Sequence, residues 1–175
     1  GILGMQIAKY MGARLVIGTS THDGRRAKLT EYGADIALDS KSPDWADKVL
    51  EATDGKGVDL IVDQVSGGVM NNNLRATRIL GRIVNVGRLG GFTGELDFDL
   101  HAARRIDYIG VTFRTRSEEE VAEIIRLMKD DLWGAVEAGT FTIPIDKEFP
   151  LDAAMEAHQY MKDNQHFGKI LLTMS

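Results

Sequence analysis

Apolar positions change period several times along this chain, from helical spacing to short continuous runs, and glycine stands at most of the changes. Met5, Ile7, Ala8 and Met11 recur at helical spacing, Gly12 stands where a helix stops, and Leu15, Val16 and Ile17 form a short, partly β-branched run. The pattern predicts a helix, a stop and a strand ending near Ser20. A polar turn at residues 21–26 opens a second expected helix, through Leu29 and Tyr32 to a stop at Gly33, followed by a strand over residues 35–38. Ser42 as N-cap and Pro43 at the first helical position predict a third helix through Trp45, Val49 and Leu50, ended by Gly55 and Gly57. Residues 58–63 read as a compact apolar strand of the kind a sheet covered on both faces uses. The turn at 64–68 leads into a helix through Met70, Leu74 and Ile79, and residues 81–87 form a strand that leaves into a glycine-rich segment ending at Gly94.

The remainder is less regular. Residues 96–106 read as a loop with a short helix, and 108–113 as a strand. Ser117 and Glu120 have capping-box spacing ahead of a helix carrying Val121, Ile124, Ile125 and Met128. Residues 141–149 are expected to be extended, 151–161 helical and 169–173 a closing strand. Strand and helix alternate with little between them, the sequence form of an α/β, doubly wound parallel sheet of the Rossmann class.

Composition narrows the partners. The 175 residues are 43% hydrophobic and 27% charged, which suits one globular domain over residues 1–175, or one with a small appendage. A net charge of −5 excludes nucleic acid as a main partner, since neutralising phosphates needs clustered Lys and Arg. There is no cysteine, hence no disulfide, thiolate zinc site or cysteine nucleophile, and a cytoplasmic location is expected. No apolar run approaches the roughly 18 to 20 residues of a membrane span, so no membrane partner is expected. His22, His101, His158 and His166 are scattered without metal-ligand spacing, and zinc is not expected in this chain.

Two features suggest a ligand. Gly1 and Gly4 match the second and third glycines of G-x-G-x-x-G, the second letting backbone approach a pyrophosphate and the third letting the helix lie close on the sheet. The alternative is a helix that begins with small residues. The strand that follows ends in Thr19, Ser20 and Thr21, with Arg25 and Arg26 close behind. In dinucleotide folds an acidic residue there accepts from the ribose 2′-hydroxyl of NAD, whereas small hydroxyl residues with a nearby Arg suit the 2′-phosphate of NADP. Cations at a helix N-terminus oppose the macrodipole and need a compensating partner; otherwise the arginines are a solvated first turn.

With these landmarks in order, the chain resembles the C-terminal cofactor domain of the medium-chain dehydrogenase/reductase superfamily, the quinone oxidoreductase-like and zinc-type alcohol dehydrogenase-like enzymes. The resemblance rests on Gly1-x-x-Gly4-x-Gln6-x-Ala8-Lys9 followed by Gly12 and Ala13, and on Gly33-Ala34-Asp35, Gly57-Val58-Asp59 and Gly81-Arg82-Ile83-Val84. Ala157-His158 and Gly168-Lys169-Ile170 complete it.

The resemblance implies an NADP-dependent oxidoreductase that moves hydride between the nicotinamide and a carbonyl, quinone or activated alkene. Gly1 and Gly4 would approach the pyrophosphate, and Ser20, Thr21 and Arg25 would lie at the 2′-phosphate. Gln64, Val65 and Ser66 would pass a ribose, and Asn85, Val86, Gly87 and Arg88 would run beside the nicotinamide. Asn164 and Lys169 match a segment that often reaches the cofactor. Val86 and Gly87 could equally be strand exit, and Lys169 a cap on the sheet edge. No residue is singled out as catalytic, and His158 reads as a packed or surface histidine. A family tyrosine is replaced in Asp39 and Ser40. A homodimer paired near residues 108–113 and a small-molecule substrate are also implied. The family's N-terminal catalytic domain and first strand are not in the sequence, so a fragment of a two-domain enzyme is expected, its sheet split unless another segment or chain fills the central place. A non-catalytic NADPH-sensing or scaffolding module is the rival reading. A methyltransferase would want an acidic residue where Ser20 and Thr21 stand.

Overall fold

Gly12, with φ +87°, closes the first helix, and from that stop helix and strand alternate to the end of the chain. The computed structural model describes residues 1–174. Its elements are α1 (Ile2–Tyr10), β1 (Ile17–Thr19), α2 (Asp23–Arg26), β2 (Ile36–Leu38), α3 (Trp45–Glu51), β3 (Val58–Asp63), α4 (Met70–Ala76), β4 (Thr77–Asn85), α5 (Phe98–Arg104), β5 (Asp107–Gly110), α6 (Glu118–Glu137), β6 (Ile145–Pro150), α7 (Ala154–Lys162) and β7 (Lys169–Thr173). Every strand pairing is parallel, in the orders β1-β2, β3-β4-β5 and β6-β7. This is the parallel α/β, Rossmann-like architecture expected, with its sheet in separate parts. Two compact units result, one built from Gly1–Asp39 with the segment from Asp131 onward, the other from Ser40–Asp130.

In the first unit Met5, Val16, Leu29 and Ala34 form the core. The close approach of α1 to β1 falls on Gly18 rather than on Gly4: a Cβ at Gly18 would lie 2.7 Å from Met5 Sδ, whereas one at Gly4 would meet nothing within 4 Å. Asp35 ties α1 to both strands by accepting from Lys9 Nζ at 2.6 Å and from the Val16 amide at 2.7 Å. In the second unit Met70, Leu74, Ile83 and Ile106 pack together, with Leu74 and Ile83 fully enclosed. The capping box forms as expected: the Ser117 amide donates to Glu120 Oε2 at 2.8 Å, and the Glu120 amide to Ser117 Oγ at 3.3 Å.

Four local expectations are corrected. The second helix is interrupted: α2 stops at Arg26, and Leu29–Tyr32 is a 3-10 turn closed by Gly33 at φ +94°, which brings that glycine against the backbone of Met5. The third helix starts at Trp45 with Asp44 as N-cap, because the Ser42 hydroxyl engages the Asp44 carboxylate and leaves Pro43 outside the helix. Ile79 lies in a strand. Fully buried Thr77 bonds back to the Asn73 carbonyl at 2.7 Å and turns extended, ending α4 and starting β4 with no loop between. Finally, β3 is not covered on both faces. Among the described residues it pairs with β4 alone, and Leu60 and Val62 are 51% and 54% exposed.

Candidate functional site

The residues singled out by sequence fall into two sets, one in each unit. In the first, Gly1 precedes α1 and Gly4 lies on its exposed side. Ser20 follows β1, its amide donating to the Leu38 carbonyl at 3.1 Å and its hydroxyl accepting from the His22 amide at 3.3 Å. Thr21 is exposed beside it. Both arginines lie in the last turn of the four-residue α2, where cations suit the helix ends. α2 is a single turn, so its first and last turns coincide and the expected opposition between these cations and a helix macrodipole does not arise.

The two arginines are used differently. Arg26 donates to the Ser20 carbonyl at 3.1 Å, pairs with Asp23, and lies 3.5 Å from Asp39 Oδ2. Its charge is compensated and it braces the exit of β1. Arg25 forms no ion pair with the described residues; its Nη1 donates to the neutral Asn164 Oδ1 at 2.9 Å. Asn164 itself is held at φ +53°, in a loop fastened by Asp146, which accepts from the Phe167 amide at 3.0 Å and from the Tyr160 hydroxyl at 2.8 Å. Lys169 opens β7, its amide donating to the Pro144 carbonyl at 2.8 Å, with its side chain exposed. Sequence reasoning placed Arg25 and Asn164 separately; the fold joins them.

Two carboxyls of this unit sit below their usual range, Asp35 first through its bond from Lys9 and Asp146 first through the Phe167 amide. A carboxyl depressed in the folded state stabilises above its unfolded pKa, and that contribution is lost as pH falls through the lower folded value. Lys9→Met, which removes the first donor to Asp35, is therefore expected to shift acid unfolding to higher pH, below about pH 5, with no change near neutrality beyond the loss of an exposed ion pair. Circular dichroism during acid titration checks this.

The second set surrounds the exits of β3 and β4. Asp63, the last residue of β3 and 4% exposed, accepts through Oδ1 from the Val65 and Ser66 amides at 2.8 and 3.0 Å, and through Oδ2 from Asn73 Nδ2 at 3.0 Å. Its main-chain carbonyl accepts from the Val86 and Gly87 amides at 2.9 and 3.0 Å. Ser66 has φ +59° and ψ −152°, a region nearly confined to glycine. Its hydroxyl donates to the Gly87 carbonyl at 2.8 Å and accepts from the Asn85 side-chain Nδ2. Asn85 is thus buried and turned into the joint between the exits, while Val86 is 40% exposed. The Gln64 carbonyl accepts from the Leu89 amide at 3.2 Å, and the Val65 carbonyl from the Gly90 amide at 2.7 Å. A Cβ on Gly87 would lie 2.5 Å from the Gln64 carbonyl oxygen, so only glycine lets the two turns touch. Asp63 and Gly18 escaped sequence reasoning. The signal for Asp63 was an Asp ending a parallel strand just before a Ser-Gly-Gly turn.

The histidines remain apart from any shared chemistry. His101 Nε2 lies 2.8 Å from the Ile106 carbonyl oxygen, and His158 is exposed, as a surface residue. No helix among the described residues is long and apolar enough to cross a membrane.

Known proteins share both the sequence pattern and the fold. The family model described as zinc-binding dehydrogenase matches residues 1–130. The mycocerosic acid synthase-like polyketide synthase of Mycolicibacterium smegmatis is 27% identical over 180 residues, covering 98% of this chain and 8% of that protein. The quinone oxidoreductase of Rattus norvegicus is 25% identical over 175 residues, covering 99% of this chain and 51% of its own length. Among solved structures, an NAD-dependent alcohol dehydrogenase superposes with a TM-score of 0.80 at 30% identity, over 98% of this chain and 47% of that one. The chain thus spans about half or less of the length of these proteins. A zinc centre does not fit the residues present: the chain has no cysteine, and no group of three or more His, Asp or Glu among the described residues could hold a metal ion. With the family model matched over 130 of 175 residues and the parallel fold in agreement, the chain belongs to the zinc-binding dehydrogenase family, matching the C-terminal domain of medium-chain dehydrogenases/reductases.

Proposed function

We propose that this chain holds NADP(H) and serves hydride transfer between the nicotinamide and a carbonyl, a quinone or an activated alkene. The observation that carries the cofactor choice is the contrast between neighbouring arginines: Arg26 is neutralised by Asp23 and Asp39, whereas among the described residues Arg25 bonds to a neutral amide and pairs with no carboxylate. A cation kept without a carboxylate, a few positions after the small hydroxyl residues Ser20 and Thr21 in the chain, suits a phosphate. The structurally similar alcohol dehydrogenase is named NAD-dependent, but a strand reading the 2′-hydroxyl of NAD ends in a carboxylate, and Thr19, Ser20 and Thr21 offer none.

When bound, the cofactor supplies the hydride chemistry. This chain's residues bind and orient: Gly1 and Gly4 leave open backbone for the pyrophosphate, and Arg25 with Asn164 takes the 2′-phosphate. Gln64, Val65, Val86 and Gly87, at the carboxyl ends of β3 and β4, line the path of the ribose and nicotinamide. The name of the rat relative supports a quinone or a related acceptor as substrate. Calorimetric titration of the full polypeptide with NADPH and NADH tests the reading. NADPH is expected to bind about tenfold or more tightly than NADH; equal affinities would overturn the choice of NADP, and binding of neither would overturn the cofactor role.

A further inference from the structure

We infer that Asp63 and Ser66 form a positioning device that joins the turn after β3 to the turn after β4, so that both present one preset surface to the nicotinamide half of the cofactor. The inference rests on the NADP(H) reading above and adds residues that touch neither phosphate nor ring.

The Asp63 carboxylate is buried and accepts from three N–H donors, two from its own exit turn and one from Asn73 on α4. Its carbonyl receives the two amides that begin the exit of β4. One residue therefore fixes a helix and both turns. Ser66 adds the second clasp. Its backbone sits where a side chain is costly, and its hydroxyl bridges the Gly87 carbonyl and the Asn85 side-chain Nδ2. Glycine would fit that backbone without strain. Serine's advantage there is its hydroxyl, which ties the turns by donating to one carbonyl and accepting from the Asn85 side chain. Where the turns cross, glycines remove the remaining freedom: a Cβ at Gly90 would lie 2.7 Å from Val65 Cγ1, and one at Gly94 2.6 Å from the Gly67 carbonyl oxygen. In open parallel sheets ligands lie outside the carboxyl ends of strands. A joint at the ends of β3 and β4 thus sets the placement of Val65 and Val86 without contacting the ligand itself.

The test compares two ligands on the full polypeptide: NADPH, and 2′,5′-ADP, which carries the adenosine and phosphate but no nicotinamide. Asp63→Asn keeps size but turns an NH2 group toward the Asn73 NH2 group. It is expected to weaken NADPH about tenfold or more and leave 2′,5′-ADP within about twofold. The double variant Asp63→Asn with Asn73→Asp restores one donor facing one acceptor and is expected to recover most of the NADPH affinity; no recovery would mean that the loss does not run through this contact. Ser66→Gly accepts the backbone conformation, stays folded, and is expected to show the same selective loss. Unchanged NADPH binding in Ser66→Gly and Asp63→Asn, or equal weakening of both ligands, would overturn the inference. Failure of the unaltered protein to bind NADPH would instead overturn the cofactor reading, and this inference with it.

Discussion

Arg25→Ala is expected to weaken NADPH binding by about 1.5–3 kcal/mol, the range of a charge-assisted hydrogen bond to phosphate, while NADH binding stays unchanged. Among the described residues, one of the five guanidinium N–H groups is committed, to Asn164 at 2.9 Å. The rest, with their uncompensated charge, are available to phosphate oxygens. Asn164 holds the fork in place through a loop that Asp146 fastens, so little side-chain freedom is left to lose on binding. Arg25→Lys keeps the charge but not the planar fork and is expected to fall between the two. Arg26→Ala provides the contrast. Its guanidinium already serves the Ser20 carbonyl and two carboxylates, so it is expected to affect stability without changing the preference between the nucleotides. Isothermal calorimetry with both nucleotides reads these outcomes directly. An equal loss of NADH affinity in Arg25→Ala would show that the residue acts on the fold and not on the 2′-phosphate.

Leu74→Ala is expected to cost about 2–5 kcal/mol of stability, the range for truncating an enclosed leucine. Leu74 has no exposed surface and packs with Met70, Ile83 and Ile106 between α4 and the sheet of the second unit. The backbone around it cannot collapse easily. Thr77 is pinned to the Asn73 carbonyl within the same turn, and Arg104 Nη1 donates to the Thr77 carbonyl at 2.7 Å. The residual cavity therefore stays open, which favours the upper part of the range. Phe92, 90% exposed, is the control: Phe92→Ala is expected to change stability by no more than about 0.5 kcal/mol. Urea unfolding followed by circular dichroism separates them, the midpoint falling for Leu74→Ala with the slope unchanged. A Leu74→Ala protein as stable as the original would mean that α4 is not part of the core that holds β3, β4 and β5 together.

Much of the architecture was legible in the order of residues. The alternation of α1, β1, β2, α3, β3, α4 and β4, the Ser117 and Glu120 cap of α6 and the closing β7 all follow from periodicity and punctuation over a few consecutive residues. The same order of glycines carried the resemblance that the family model then matched over residues 1–130. Local signals fail where a distant contact outweighs them. Ile79 continues a helical spacing, yet the back-bonded, fully buried Thr77 ends the helix before it. Gly4 fits a motif for close packing, yet the helix meets the strand at Gly18. The candidate site divides in the same way. Sequence determined which residues stand at strand exits, because strand ends are read from local pattern. Tertiary structure decided what they do there: Arg25 is separated from Asn164 by 139 positions, and Asn85 from Ser66 by 19. The physical reason is that a side chain's charge and hydrogen-bonding capacity are spent on whichever groups the fold brings within about 3 Å, and those groups are seldom its neighbours along the chain.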